Sequence, residues 1–222
     1  TLDGSYDLNR ETYNGELTLS RFPLDRFLTV DSLGSASANF RLEGRYFSWP
    51  QAKTSVNAGI RQLFYKEHEY KDITLQATLD KTHLRGTMVS KDPDAPLDLV
   101  FRGDSLQQQY QVGLGGYIGK VDLQALHLMQ EPLTMGLKVD LQGFIGEHSA
   151  YALKARFDSL SMADSRKTYT LGSLDIDMAS DLKKTTLDVK TGDLQLTFRA
   201  DTSLAGFGES AGKIAGIVGK QI

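Results

Sequence analysis

Apolar and polar side chains alternate one for one along almost the whole chain, and this alternation limits the folds that the chain can adopt. In one segment Phe40, Leu42 and Gly44 alternate with Arg41 and Glu43. Successive side chains of a β-strand point to opposite faces, so the pattern predicts strands that bury one face. It recurs at residues 17–19, 40–46, 56–60, 73–79, 84–88, 97–101, 110–114, 121–125, 135–141, 151–157, 174–178, 187–189 and 194–198. We therefore expect a mainly β protein with about a dozen strands.

Three stretches depart from the alternation. Pro23, followed by apolar residues at helical spacing, predicts a short helix over residues 22–28, and residues 126–133 suggest a counterpart. In residues 203–222 apolar side chains recur every three or four positions. This spacing predicts a C-terminal amphipathic helix that packs on or caps the sheet.

The sequence also contains an internal repeat. Residues 40–44 return in similar form at 139–143, and residues 97–104 return at 194–201, in each case about 100 residues later. The repeat predicts two β units, 1–105 and 106–202, followed by the helix of residues 203–222. Three arrangements would hide the apolar face: two packed sheets, a closed barrel, or a curled sheet whose groove is filled by the helix and a ligand. The repeat favours a sheet built from stacked units over a closed barrel.

Composition excludes several classes of function. The 25 basic and 28 acidic side chains give a net charge of −3, and they are scattered, which argues against a nucleic-acid partner. The chain has no cysteine, which removes disulfides and thiolate chemistry. No segment approaches the roughly 18 consecutive apolar residues of a membrane-spanning helix. The opening residues resemble neither a signal peptide nor a natural start, so we interpret the chain as a piece of a longer protein.

No motif for catalysis or cofactor binding emerges. The four histidines do not form a His-Glu-x-x-His or His-x-His pattern, so the sequence predicts no metal site. Asp92 and Asp94 have calcium-ligand spacing, but the loop glycine and distal glutamate are missing, which favours an ordinary turn. Residues 113–120 resemble a phosphate-binding loop only superficially. Leu114 stands where the motif requires glycine and Val121 where it requires serine or threonine, so the motif is not met. A carboxylate pair for glycoside hydrolysis stays open, because distances in space are invisible at this stage. We expect no enzyme and no cofactor.

The repeated segments at residues 40–44, 139–143, 97–104 and 194–201 resemble TamB-type proteins of the AsmA-like superfamily. The opening at residues 2–8 and the string at residues 33–38 resemble the long TamB relatives of Bacteroidetes-type bacteria. The resemblance implies an inner-membrane anchor in the parent protein and a periplasmic curled sheet, a β-taco or half-pipe with an apolar groove. It also implies phospholipid transport towards the outer membrane and an Omp85-type outer-membrane partner.

On this hypothesis one set of alternating apolar side chains lines a trough in which phospholipid acyl chains lie. The predicted lining residues are Phe40, Leu42, Ile73, Leu75, Leu79, Leu97, Leu99, Phe101, Leu137, Val139, Leu141, Leu174, Ile176, Leu194, Leu196 and Phe198.

Two other functions remain open from the sequence. The chain could be a structural or chaperone module that offers sheet edges to outer-membrane proteins by β-augmentation. It could also be a carbohydrate-binding sandwich, although sugar platforms usually expose several aromatic side chains and Trp49 is the single tryptophan.

Overall fold

The computed structural model describes residues 1–27, 29–48, 51–106, 109–146 and 150–203. Within these ranges the chain forms thirteen β-strands and one short 3₁₀ helix, Leu24–Arg26. The strands are β1 Leu2–Asp7, β2 Thr12–Pro23, β3 Leu33–Arg45, β4 Lys53–Tyr65, β5 His68–Asp80, β6 His83–Ser90, β7 Leu97–Leu106, β8 Gln109–Asp122, β9 Thr134–Ile145, β10 Tyr151–Ala163, β11 Thr168–Ser180, β12 Thr185–Thr191 and β13 Leu194–Ala200.

All thirteen strands belong to one antiparallel sheet, and their order in the sheet is their order along the chain. The sheet is not closed, because β1 and β13 stand at opposite ends of that order. The prediction of a mainly β, antiparallel fold is therefore confirmed. A two-sheet sandwich and a closed barrel do not occur in the described part of the chain.

Individual elements correct the sequence prediction in four places. β1 lies in a segment where no strand was expected, and residues 121–125 are the end of β8 followed by a turn. That turn forms because the Asp122 carboxylate accepts the backbone N–H groups of Gln124 and Ala125 at 3.0 Å each. The helix expected over residues 22–28 is reduced to one 3₁₀ turn, and residues 126–133 form no helix.

A line of irregularities crosses the sheet near one end of the strands. Arg21, Asp72 and Ser159 lie inside strands yet have φ values of 45°, 50° and 55°. The register shifts beside Arg21 in β2 and beside Ser159 in β10, as it does beside Gly119 in β8. Such β-bulges bend a strand and fix its register, so they separate a regular part of the sheet from the strand ends beyond them.

The sheet has a large exposed surface. The chain exposes 15234 Å², whereas a compact protein of this length exposes about 10,000 Å². Neither a second sheet nor a helical layer covers the sheet within the described residues. The helix expected over residues 203–222 falls, apart from Ser203, outside the described residues. The division at residues 105 and 106 stays a prediction, and β7 and β8 pair directly across it.

Candidate apolar binding face

One row of residues, running perpendicular to the strands, is apolar from the first strand to the last. Residues paired across neighbouring strands carry their side chains on the same face of a sheet. The pairing connects Gly4, Gly15, Leu42, Val56, Ala77, Gly86, Phe101, Leu114, Leu141, Ala155, Ile176, Val189 and Leu196. We call this set the apolar row. It contains no side chain with a hydrogen-bonding group.

The predicted lining residues all lie on the face that carries the apolar row. Phe40 and Leu75 both pair with Ala58, for example, and Leu97 and Leu137 both pair with Ile118. The structure adds members that the sequence analysis did not name as lining, among them Leu17, Val56, Met88, Leu114, Phe157 and Val189. The strands of these residues were predicted from the alternation. The same alternation was sufficient to place their side chains on the apolar face.

The opposite face carries a row of residues that is polar except at two neighbouring positions, Val100 and Gly115. The row one residue away from the apolar row consists of Asp3, Glu16, Arg41, Asn57, Gln76, Thr87, Val100, Gly115, Asp140, Arg156, Asp175, Lys190 and Gln195. We call this set the polar row. Arg41 forms ion pairs with Glu16 at 3.5 Å and with Glu43 at 2.7 Å, so the charges of this face neutralise one another locally.

Depressions on the surface of the polar face offer no comparable site. One of them is lined by Arg41, Glu43, Lys53 and Asp80, together with other residues of β1 to β5. Lys53 and Asp80 form an ion pair at 3.2 Å, and Arg41 is paired as described above. Such open spaces between paired charges are wet, and an acyl chain would gain little by entering them.

Aromatic rings lie across glycines on the apolar face. A Cβ atom at Gly86 would collide with the ring of Phe101 on the next strand, and one at Gly44 would collide with the ring of Tyr13. The rings therefore lie flat on the neighbouring strand. The apolar face is consequently smooth at these points, because a large side chain fills the space that a small residue leaves.

Burial on the apolar face varies widely. Ile73 and Val139 are 8% and 7% exposed, whereas Leu196 and Phe198 in β13 are 43% and 46% exposed. High exposure is not confined to the edge, because Val112 in the central strand β8 is 50% exposed. The face as a whole has the continuity of a core but no described element that covers it.

Four of the polar side chains on the apolar face form hydrogen bonds in pairs. The Tyr13 hydroxyl shares a hydrogen bond with the Thr54 hydroxyl, and Ser180 shares one with Thr185 at 2.8 Å. Thr185 also donates to the carbonyl oxygen of Thr202 at 2.8 Å. The members of these two pairs bind each other and so do not form an ordered polar site for a particular headgroup.

The charge cluster around Asp104 lies on the polar face, near one end of β6 and β7. Hydrogen bonds from His83 and Arg85 lower the pKa of the Asp104 carboxyl below its usual value. Arg85 Nη2 lies 2.9 Å from Asp104 Oδ1 and 3.2 Å from Oδ2. This cluster joins two neighbouring strands, and no nucleophile belongs to it, so it has the character of a structural ion pair.

Comparison of the chain with protein-family models, with curated proteins and with solved structures finds no match. In the ranges that the structure describes, no helix is long and apolar enough to cross a membrane. The resemblance to TamB-type proteins therefore stays a prediction from the residues quoted for it.

Proposed function

We propose that the chain is a periplasmic segment of a TamB/AsmA-like protein and that its apolar face is a trough for phospholipid acyl chains. In this proposal the sheet curls around the apolar row, acyl chains lie against it, and headgroups stay in water at the open side. The parent protein is anchored in the inner membrane, and lipid moves between the two membranes. Localisation, anchoring and an Omp85-type partner rest on the family resemblance alone.

The observation that carries the proposal is the unbroken apolar row. Thirteen strands at about 4.7 Å spacing give a continuous apolar path of roughly 55 Å. An ordinary soluble protein buries such a face against a second layer, and no such layer is present in the described residues. A ligand made of methylene groups would cover the face without needing polar partners.

The energetics of the path suit transport better than tight binding. Burial of one methylene group contributes about 0.8 kcal/mol, so a chain of some 16 methylenes would gain on the order of 10 kcal/mol relative to water. Leucine side chains and lipid tails are equally apolar, so a chain leaving a bilayer for the trough would change its free energy little. An acyl chain could therefore move along the apolar row without being held in a deep free-energy minimum.

Two stacked units of the same design would explain the internal repeat. The first copies of the repeated segments, residues 40–44 and 97–104, lie in β3 and β7. The second copies at residues 139–143 and 194–201 lie mostly in β9 and β13, six strands further along the sheet in each case. A unit of six strands, repeated, would extend the trough without changing its cross-section.

Lipid that co-purifies with the protein tests the proposal. We expect phospholipid in organic extracts of detergent-free protein and bound phospholipid in native mass spectra. Leu75→Arg places a charge on the apolar face and should abolish that signal. Gln76→Arg is the matched control, because it adds the same charge one residue away on the polar face, where Gln76 pairs with Asn57 and Thr87. A clean mass for the wild type, or equal lipid in both variants, would contradict the proposal.

A second candidate function rests on the open edges of the sheet. Among the described strands β1 and β13 each have one neighbour, so neither has a described strand paired along its outer side. Such edges can accept a strand from an outer-membrane protein during its assembly. In this alternative the chain is a structural or chaperone module.

Proline substitutions distinguish this alternative from the trough. Consecutive N–H groups of a strand point to opposite sides, so either Leu196→Pro or Thr197→Pro removes an outward donor of β13. If the edge is the active surface, one of these variants should lose capture of an unfolded outer-membrane barrel protein while Leu75→Arg keeps it. The reverse result would support the trough.

A further inference from the structure

Three segments meet beyond the line of bulges at one end of the strands. They are the first residues of β5, the loop of residues 91–96 between β6 and β7, and the loop of residues 123–133 between β8 and β9. The loop of residues 91–96 is hydrogen-bonded to β5 and to β8, since Lys91 N donates to Asp72 O and Asp122 N donates to Asp94 O. These bonds attach the backbone of the loop to the strands on either side of the β6–β7 hairpin.

His68 points one ring nitrogen into this junction without a hydrogen bond. Its side chain is 11% exposed. Nδ1 lies 3.1 Å from the carbonyl oxygen of Ala125, so Nδ1–H is the donor to that oxygen. Nε2 is buried and has no hydrogen-bond partner, and Asp92 Oδ1 lies 3.6 Å away. A backbone carbonyl on Nδ1 is the arrangement that orients histidines whose Nε2 binds a metal.

Asp92 contributes a buried negative charge to the same junction. Its side chain is 1% exposed, and its carboxylate accepts the backbone N–H groups of Lys71, Asp94 and Ala95 at 2.8, 2.9 and 3.2 Å. Those donors are neutral. Within the described residues, the one ion pair recorded for this carboxylate is with His68. The three backbone donors stabilise the charge of this carboxylate, and a cation bound beside it would stabilise that charge further.

Asp94 completes the set. Its side chain is half-buried, and no described residue donates a hydrogen bond to its carboxylate. One ligand atom each from His68, Asp92 and Asp94 can be chosen so that all three lie within 4.8 Å of one another. Ligand atoms around one zinc ion are about 3.3 Å apart, so a small rotation of the half-buried carboxylate closes the set.

We propose that His68, Asp92 and Asp94 form a binding site for one divalent transition-metal ion, with Zn²⁺ as the best match. One imidazole and two carboxylates are ligands that zinc accepts, and water would fill the remaining position. The metal would fasten the start of β5 to the loop of residues 91–96 and, through Ala125, to the loop of residues 123–133. This role is structural and does not depend on what the apolar face binds.

Zinc titration of the full chain tests the site. Protein stripped with a chelator and exchanged into clean buffer is titrated with ZnCl₂ in a calorimeter, and its melting temperature is followed with and without the ion. We expect one ion per chain and a higher melting temperature with zinc. His68→Gln and Asp94→Asn should each weaken binding by about tenfold or more. His83→Gln is the matched control, because His83 pairs with a single carboxylate, Asp104, on the polar face.

Each outcome decides the proposal. Binding in the wild type and in His83→Gln, weakened in both site variants, supports it. If His68→Gln fails to fold, Asp94→Asn decides alone, because that carboxylate holds no described hydrogen bond. No zinc binding by the wild type, or binding unchanged in Asp94→Asn, would overturn the proposal.

Discussion

The apolar row and the polar row are one residue apart along every strand and share the same backbone, but ten of the thirteen residues of the apolar row have apolar side chains and eleven of the thirteen residues of the polar row are polar or charged. The polar row contains ion pairs such as that between Arg156 and Asp175 at 3.8 Å, and such pairs are typical of a surface that faces water. The apolar row has no hydrogen-bonding side chain from Gly4 to Leu196. The face that carries the apolar row is therefore suited to contact with apolar groups, whereas the opposite face is suited to contact with water.

The largest expected effect comes from placing a charge on each face in turn. Ile73 and Thr74 are adjacent in β5, and Ile73 is 8% exposed on the apolar face while Thr74 is exposed on the polar one. Ile73→Arg should lower the free energy of unfolding by about 3 kcal/mol or more, because it buries an unpaired charge. Thr74→Arg should stay within about 0.5 kcal/mol. Urea unfolding measures both, and equal losses would show that the two faces are not different environments.

Replacing a glycine by alanine should change the free energy of unfolding by a smaller amount, with opposite signs on the two faces. Gly86→Ala places a Cβ against the ring of Phe101 and 2.7 Å from the carbonyl oxygen of Gln76, so we expect a loss of about 1–3 kcal/mol. At Gly59, on the polar face, a Cβ would meet no atom within 4 Å. Gly59→Ala should therefore stabilise the chain by about 0.4–1 kcal/mol. The same unfolding assay applies, and a stabilising Gly86→Ala would contradict the close ring packing.

The smallest expected effect is a pH dependence of the polar face. The pKa of Asp104 is lowered in the folded state by His83 and Arg85, so the folded chain is stabilised above the unfolded value of 3.8. That contribution is lost as the pH falls through the lower, folded pKa. Asp104→Asn should destabilise the chain slightly at neutral pH, and the difference from wild type should shrink below about pH 4. A difference that is constant from neutral to acid pH would exclude the ion pair as its cause.

The approximate number of strands and the face on which each side chain lies were predictable. Alternation is visible between neighbouring residues of the sequence, and the pairing of strands keeps alternate residues on one face of the sheet. Phe40 and Leu42 alternate with charged neighbours in the sequence, and in the sheet they lie on the same face as Leu75 and Val139. β1 was missed although Leu2, Gly4 and Tyr6 alternate with polar residues, because the segment is only six residues long and includes a glycine at an apolar position.

The cluster of His68, Asp92 and Asp94 could not be predicted, since its position depends on two loops and a line of bulges. The turn expected at residues 92–96 does form, because Asp92 accepts the N–H groups of Asp94 and Ala95. Nothing in the spacing indicated that His68 would face it. Contacts between loops follow from strand lengths and bulge positions, and alternation does not encode those to the nearest residue.

Photo-crosslinking from two adjacent positions in β3 tests the central claim most directly. A photoreactive amino acid at Leu42, which is 38% exposed in the apolar row, is compared with the same amino acid at Arg41 in the polar row. In the presence of phospholipid vesicles, irradiation should attach lipid at position 42 and not at position 41. Equal labelling at both positions, or none at position 42 in a folded protein, would contradict an apolar face that binds acyl chains.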